Sequence, residues 1–435
     1  MGARETALNA LIACRMEQGW SNAVLKKYIR RDALDARDAA LATRLCYGVV
    51  QNRGKLDFYL AQLLKGSLKK LHPAVRDILH LGLYQIYELD KIPDSAAVNE
   101  SVRLARKYGP AGCDKLVNGV LRNAVRTKGT LKEPTSYEDK YSHPAELVAL
   151  LKTALPKGTL ESVLKADNEA PDTVIQVNTL KTDMGSLVKR LEAEGVQSRP
   201  HCWMENCLVL SGTGSLEQLP SFREGFYYVQ DPASRLSVLC AELKPGMAVL
   251  DCCAAPGGKS FAAAMAMGGQ GSITSCDVHA HKIPLIESGA ARLGISSLKA
   301  QLQDASVFVP NWEEQFDAVI VDAPCSGLGI IRKKPDIRYR DLKATETLPE
   351  LQKQILWNQA RYVKKGGILM YSTCTLLPRE NEDVVHAFLK AHPEFTLEKL
   401  PLPGEFPGNE TGYLTLLPGR HDTDGFFISR MRRKS

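Results

Sequence analysis

Beyond Leu243 the sequence repeats one pattern: a short apolar, strand-like run, a glycine turn and a helical stretch. The runs are Ala248-Val249-Leu250, Ser272-Ile273-Thr274, Ala318-Val319-Ile320-Val321 and Ile368-Leu369-Met370. Strands that alternate with helices bury both their faces only in a mostly parallel sheet with helices on either side. Right-handed crossovers then gather the carboxyl ends of the strands, and any ligand they hold, along one rim. Residues 238–435 are therefore expected to form an α/β, Rossmann-like domain, and the search for chemistry narrows to the residues that follow each strand.

Upstream the texture differs. The 435 residues are 44% hydrophobic and 24% charged, too many for one core and too apolar for disorder, so two or three globular domains are expected. Residues 1–128 read as all helical. Val75, Ile78, Leu79, Leu83 and Ile86 recur on one helical face, and Asp94 can cap a following helix through Val98 and Val102 that stops at Gly109-Pro110. Residues 127–142 lack an apolar period, so 129–165 reads as a linker with connecting helices. Within 166–237, Val174-Ile175-Gln176-Val177 and Cys207-Leu208-Val209-Leu210 are strand-like and 184–194 is a short amphipathic helix, which makes a small α+β unit.

Charge follows the same division. Residues 1–130 hold 22 Lys and Arg against 12 Asp and Glu, or +10, while the whole chain is +7, leaving −3 for the remainder. A cationic front on a near-neutral body suggests a module that docks on a polyanion, most simply a nucleic acid, although a solvated basic surface would look the same. No run of eighteen apolar residues and no basic-then-apolar start argues for a membrane span or a secretory signal, so a cytoplasmic location is expected. The eleven cysteines are an odd number scattered from Cys14 to Cys374, more typical of buried or reactive thiols than of a disulfide framework. His201, Cys202 and Cys207 form the tightest local group of metal-ligand types, but with no second pair at finger-like spacing no metal is expected.

The first strand of the repeat runs into Asp251-Cys252-Cys253-Ala254-Ala255-Pro256-Gly257-Gly258-Lys259-Ser260 and then an alanine-rich helix, a turn where backbone can approach a ligand closely. A phosphate-cradling loop would need glycine where Cys253 stands, so the NTPase reading fails. Asp277 closes the next strand nineteen residues after Gly258, the distance at which a carboxylate meets ribose hydroxyls, and Gln303-Asp304 after the third strand could face an adenine. Carboxylates without phosphate-binding geometry favour a nucleoside, and S-adenosylmethionine, a sulfonium with no phosphate, fits. A lone aspartate at a strand end is otherwise a turn former.

Two later strands end in thiols. Phe316-Asp317-Ala318-Val319-Ile320-Val321 leads into Asp322-Ala323-Pro324-Cys325-Ser326-Gly327, and the strand through Tyr371 leads into Ser372-Thr373-Cys374-Thr375. Cys14, Cys46, Cys113, Cys240 and Cys276 suit a buried structural role, whereas Cys325 and Cys374 should converge on the ligand rim. Such a pair suits methylation at carbon 5 of cytosine. That carbon is a poor nucleophile until a thiolate adds to carbon 6 and makes the ring an enamine. A carboxylic acid at N3, a task for Asp322, eases the addition. A second thiol can assist the elimination that ends the cycle.

These segments carry a resemblance that covers essentially the whole chain. Asp322-Ala-Pro-Cys325-Ser-Gly and Ser372-Thr-Cys374-Thr, with Pro378-Arg-Glu-Asn381-Glu-Asp, resemble the two signature motifs of the RsmB/Sun branch of the NOL/NOP/Sun RNA cytosine-5 methyltransferases. Cys253-Ala-Ala-Pro-Gly-Gly-Lys259 is similar to that family's donor loop. The helical front, with Asp38-Ala-Ala-Leu-Ala-Thr, Val98-Asn-Glu-Ser-Val-Arg-Leu-Ala and Val117-Asn-Gly-Val-Leu-Arg122, resembles the NusB-type RNA-binding bundle that distinguishes the branch.

The resemblance implies a class I methyltransferase domain over 238–435, preceded by a NusB-like domain over 1–128 and an RRM-like, RNA-binding unit over 166–237. It implies methylation of a cytosine in 16S ribosomal RNA, free or in an assembling small subunit, by a monomer that needs S-adenosylmethionine and no metal. It makes Cys374 the nucleophile and Cys325 the thiol that assists release. The donor contacts it implies are Cys253, Ala254, Ala255, Pro256, Gly257, Gly258, Lys259, Asp277, Asp304 and Asp322. The residues alone leave the order of the thiols open, since DNA cytosine-5 enzymes use a Pro-Cys thiol, which would point to Cys325. Gln176 stands where relatives commonly have arginine, and Arg332-Lys333-Lys334-Pro335-Asp336-Ile337-Arg338 matches a basic family segment expected to meet substrate. Rival readings are a non-catalytic RNA-binding scaffold, against which both thiols argue, and a DNA methyltransferase, for which the basic front shows no major-groove reader.

Overall fold

The structure, a computed structural model, describes residues 1–17, 21–403, 406 and 409–435. The chain forms two compact units: residues 1–169 with 331–340, and residues 170–330 with 341–435.

The first unit is helical. Its central helix, Pro73–Glu88, opens on a proline, whose missing N–H is harmless in a first turn, and buries Val75, Ile78, Leu79, Leu83 and Ile86 as the spacing predicts. It also buries Asp77, His80 and Gln85, so it is surrounded rather than laid on a surface. Helices Ala3–Glu17, Ser21–Arg31, Ala36–Gln51, Arg53–Leu63, Asp94–Tyr108 and Cys113–Arg126 contribute to the same apolar core. The helix from Asp94 stops before Gly109-Pro110 as expected, but Asp94 lies inside its first turn instead of capping it, with its carboxylate 3.7 Å from Lys128 Nζ. After turns and extended chain over 127–136, helices Tyr137–Lys140, Ala145–Ala154 and Leu160–Ala166 complete the unit.

The second unit holds two sheets. The smaller has strands β1 (Thr173–Val177), β2 (Gln197–Pro200), β3 (Cys207–Ser211) and β4 (Tyr227–Val229), in the order β2-β3-β1-β4 and antiparallel throughout. Helix Met184–Ala193, capped by the Asp183 carboxylate on Ser186 N, lays Leu187 and Leu191 on the face formed by Ile175, Val177, Leu208 and Leu210. This is a ferredoxin-like arrangement. Gln176 is fully buried: its Nε2 donates to Gln230 O, and its Oε1 accepts from Arg235 Nη1 at 2.7 Å, so it serves the interior.

The larger sheet has strands β5 (Ala248–Asp251), β6 (Ser272–Asp277), β7 (Leu298–Leu302), β8 (Phe316–Asp322), β9 (Val363–Thr373), β10 (Phe395–Leu397), β11 (Tyr413–Leu416) and β12 (Phe426–Arg433). Its order is β10-β12-β9-β8-β5-β6-β7, with β11 also on β12; β5 to β9 are parallel, and β12 enters antiparallel beside β9. Alternation sorts the side chains. Val249, Ile273, Ala318, Ile320, Ile368 and Met370 share one core, and Leu250, Cys276, Val319, Val321, Leu369 and Tyr371 share the other. Successive strands are added on opposite sides of β5, so the switch in strand order falls between β5 and β8, where ligands of such sheets bind beyond the carboxyl ends.

Candidate active site

β5 ends at Asp251 and turns through 252–257 into helix Gly258–Ala266. Gly257 has φ +112°, and a Cβ there would run into the Phe261 ring, so only glycine closes this turn. Asp251 is fully buried; Ser260 Oγ donates to its Oδ2 at 2.7 Å, while Oδ1 has no protein partner. Burial pushes its carboxyl up to about 6. Sequence reasoning gave Asp251 no role; its position, one residue before a glycine-rich turn, was the available signal.

Lys259 is the residue sequence reasoning placed but did not pair. Only 7% exposed, it donates from Nζ to Asp322 Oδ2 at 2.7 Å and to Ser234 Oγ at 2.8 Å, and the same nitrogen lies 5.1 Å from the centre of the Phe426 ring. The other oxygen of Asp322, Oδ1, accepts from Ser372 Oγ at 3.0 Å. Asp322 therefore stands at the end of β8 between a cation supplied by the first turn of helix Gly258–Ala266 and a hydroxyl supplied by β9.

The two thiols meet. Cys325 follows β8 and Cys374 follows β9, and their sulfurs are 3.3 Å apart, with Cys374 N donating to Cys325 Sγ at 3.3 Å. The hydrogen bond with Cys374, then burial, then the Glu380 and Asp322 carboxylates push the Cys325 thiol well up. A network holds the two loops. Ser326 N and Gln352 Nε2 both donate to Glu380 Oε2, at 2.8 and 2.9 Å, and Gln352 also donates to Pro324 O. Thr373 Oγ1 donates to Asn381 Oδ1, whose Nδ2 donates to Thr375 O at 3.1 Å. Ser326 Oγ and Thr375 Oγ1 are 2.7 Å apart. The Pro378-to-Asp383 motif, noted in the sequence without a task, thus fixes the backbone on both sides of the thiols.

The remaining candidates occupy the same rim. Cys253 is half-buried with Sγ 3.8 Å from Cys252 Sγ, and Ala254 N donates to Cys276 O. Ala255 and Pro256 complete the turn, and Gly258 opens the helix. Asp277 ends β6, 6% exposed, with Oδ1 accepting from His279 N and 3.6 Å from Lys282 Nζ. Asp304 is exposed after β7 and accepts from Ser306 N and Oγ, a turn-forming role. Two expectations change. Cys207 does not join His201 and Cys202, because it points inward from β3 to Gln176; Asp422 takes its place in that group. Arg338, expected to meet substrate, is 1% exposed inside the helical unit.

A donor nucleoside fits these residues: a turn that only glycine can make, a buried Asp251 oxygen without a protein partner, and a carboxylate at the end of β6. Comparison with known proteins agrees. Residues 238–432 match the family described as 16S rRNA methyltransferase RsmB/F, residues 1–126 the NusB family, and residues 143–217 the ferredoxin-like domain of the RsmF/B-like methyltransferases. The probable ribosomal RNA small subunit methyltransferase B of Bacillus subtilis is 38% identical, with 99% of this chain and 98% of that protein covered. The ribosomal RNA small subunit methyltransferase B of Shewanella oneidensis is 32% identical, with 96% of each covered. Among solved structures, that of PH0851 superposes with a TM-score of 0.83 at 25% identity, covering 100% of this chain and 99% of that one. NSun6 of Pyrococcus horikoshii, solved with SFG, an analogue of S-adenosylmethionine, gives 0.60 at 22% identity over 67% of this chain and 98% of that one, a likeness of fold. The chain belongs to the RsmB/F family of S-adenosylmethionine-dependent small-subunit ribosomal RNA methyltransferases.

Proposed function

We propose that the chain methylates carbon 5 of a specific cytosine in 16S ribosomal RNA through a covalent adduct on Cys374. The observation that carries this is the convergence of Cys374, Cys325 and Asp322 from neighbouring strand ends, with the two sulfurs 3.3 Å apart. Bound S-adenosylmethionine would supply an electrophilic methyl group; Cys253, Ala254, Ala255, Pro256, Gly257, Gly258, Lys259, Asp277, Asp304 and Asp322 are the residues to hold it.

The protein's own groups do the rest. Cys374 as thiolate adds to carbon 6. Asp322, in its protonated form, donates to N3, so that negative charge does not build on the ring as carbon 5 becomes nucleophilic. Cys325, 3.3 Å from Cys374, is the neighbouring group that as thiolate takes the carbon 5 proton, the freed electron pair re-forming the ring double bond as the carbon 6–sulfur bond breaks and Cys374 leaves. The helical front over 1–128 and the small unit over 166–237 are the RNA-binding parts, and the protein works as a cytoplasmic monomer on 16S RNA or an assembling small subunit.

The test is transfer of label from methyl-labelled donor to unmethylated ribosomal RNA or small-subunit particles by the pure protein, followed by mapping of the product. One 5-methylcytosine in 16S RNA is expected. A label on another base or another atom would overturn the reading.

A further inference from the structure

β8 and β9 run parallel with Asp322 opposite Ser372, and each strand leads into a loop that carries a thiol, Cys325 after the one and Cys374 after the other. Their sulfurs are 3.3 Å apart, and Cys374 N donates to Cys325 Sγ, also at 3.3 Å. The neighbouring backbone is fixed within the same unit: Ser326 N donates to Glu380 Oε2, and Thr375 O accepts from Asn381 Nδ2. Sulfurs joined in a disulfide lie about 2.0 Å apart, so closure asks this pair to approach by about 1.3 Å. Shared between the two sulfurs, that is the scale of a modest rotation about each Cα–Cβ bond.

Access separates this pair from the other close one. An oxidant must reach a sulfur, and an oxidised sulfur is preserved in reversible form when a second thiol stands beside it to resolve it. Cys325 and Cys374 are both half-buried at the open rim of the sheet. Cys252 is 2% exposed, its sulfur lies 3.8 Å from that of Cys253, and the two are adjacent in the chain, so a bond between them would have to distort the turn that holds them.

We propose that Cys325 and Cys374 form a site of reversible oxidation, at which a hydroperoxide joins them in a disulfide and stops methyl transfer. One sulfur, as thiolate, attacks the peroxide: a sulfur–oxygen bond forms, the oxygen–oxygen bond breaks and hydroxide leaves. The other sulfur, as thiolate, attacks the resulting sulfenic acid: the sulfur–sulfur bond forms, the sulfur–oxygen bond breaks and a second hydroxide leaves. The hydroxides take up the protons that the thiols gave up. With hydrogen peroxide, two thiols and one peroxide thus yield one disulfide and two waters, the sulfurs losing the two electrons that the peroxide gains. A dithiol reverses the modification by exchange. The loss of turnover rests on the proposed role of Cys374, whereas the cross-link does not.

The experiment treats the reduced full chain with hydrogen peroxide, removes the excess with catalase, alkylates the remaining thiols in denaturant and maps the peptides without reduction. A cross-link between the peptides of Cys325 and Cys374 is expected, lighter than the two free peptides by two hydrogen atoms, with Cys252 and Cys253 alkylated. Methyl transfer should fall in proportion to the cross-link and return to within about twofold of the untreated chain after dithiothreitol. Cys252→Ala should lose and regain activity as the unaltered chain does. Sulfinic or sulfonic acid on Cys374 with Cys325 alkylated, or a loss of activity that follows a Cys252–Cys253 link, would overturn the proposal. A cross-link that leaves methyl transfer intact would overturn it too, and would take Cys374 out of the chemistry. Absence of methyl transfer by the untreated chain would count against the proposed function alone, since the cross-link is read by mass.

Discussion

Cys325 and Cys374 bring their sulfurs to 3.3 Å from two different strand ends, whereas Cys252 and Cys253, 3.8 Å apart, are neighbours on a single turn. The second pair is close because the chain makes it so. The first is close because β8 and β9 pair in register through Asp322 and Ser372, and because Glu380, Asn381 and Gln352 hold the loops beyond them. Cys252 is 2% exposed, and burial, with its bond to Cys253, pushes its thiol well up. Both members of the other pair are half-buried, within reach of a base brought to the rim. Proximity of two thiols is thus weak information; convergence supported by a dedicated hydrogen-bond network is strong.

The comparison breaks first at Cys374. Its replacement by alanine should cut single-turnover methyl incorporation by about 10⁴-fold or more, as loss of a covalent nucleophile does. Asp322→Asn should lower kcat by about 10²–10³-fold with little change in RNA affinity, since the group acts in proton traffic and not in docking. A loss confined to KM would move Asp322 out of the chemistry.

Asp251 gives a pH signature to the quiet side of the site. Its folded-state pKa of about 6 lies above the ordinary value of 3.8, so the folded protein binds the proton more tightly than the unfolded chain. The corresponding stability is full below pH 3.8 and is lost as pH rises through 6, a change of about 3 kcal/mol. Asp251→Asn should flatten that part of the profile, read as the difference between variant and unaltered protein in denaturant unfolding at pH 4.5 and 7.5. The smallest effect belongs to Cys252→Ala: about 1 kcal/mol of stability from a small void, and turnover within about twofold. A large loss of turnover there would give the adjacent pair a chemical role.

Much of this was legible before any coordinates. Parallel strands buried on both faces read as apolar runs, so β5, β6, β8 and β9 and the residues after them stood out. β12 did not. It lies between β9 and β10 yet ends in Arg430-Met431-Arg432-Arg433, a polar pattern tolerated because Arg430 and Arg432 pair with Glu398 and Arg433 with Glu314. Ion pairs between distant segments leave no local periodicity. For the same reason Lys259 and Asp322, 63 residues apart, were each visible and their bond was not. Arg338 misled more thoroughly: a basic run reads as a surface facing RNA, and only the fold shows that one of its charges is owed to helix ends 171 to 287 residues earlier.

The order of the thiols is the claim on which the mechanism turns, and a protein–RNA adduct reports it directly. Each single alanine variant, incubated with unmethylated 16S RNA and donor and then resolved under denaturing conditions, should give opposite outcomes. Cys325→Ala should accumulate the covalent complex because release is slowed, and Cys374→Ala should form none. A complex that builds up with Cys374→Ala and is missing with Cys325→Ala would contradict the account and make Cys325 the nucleophile.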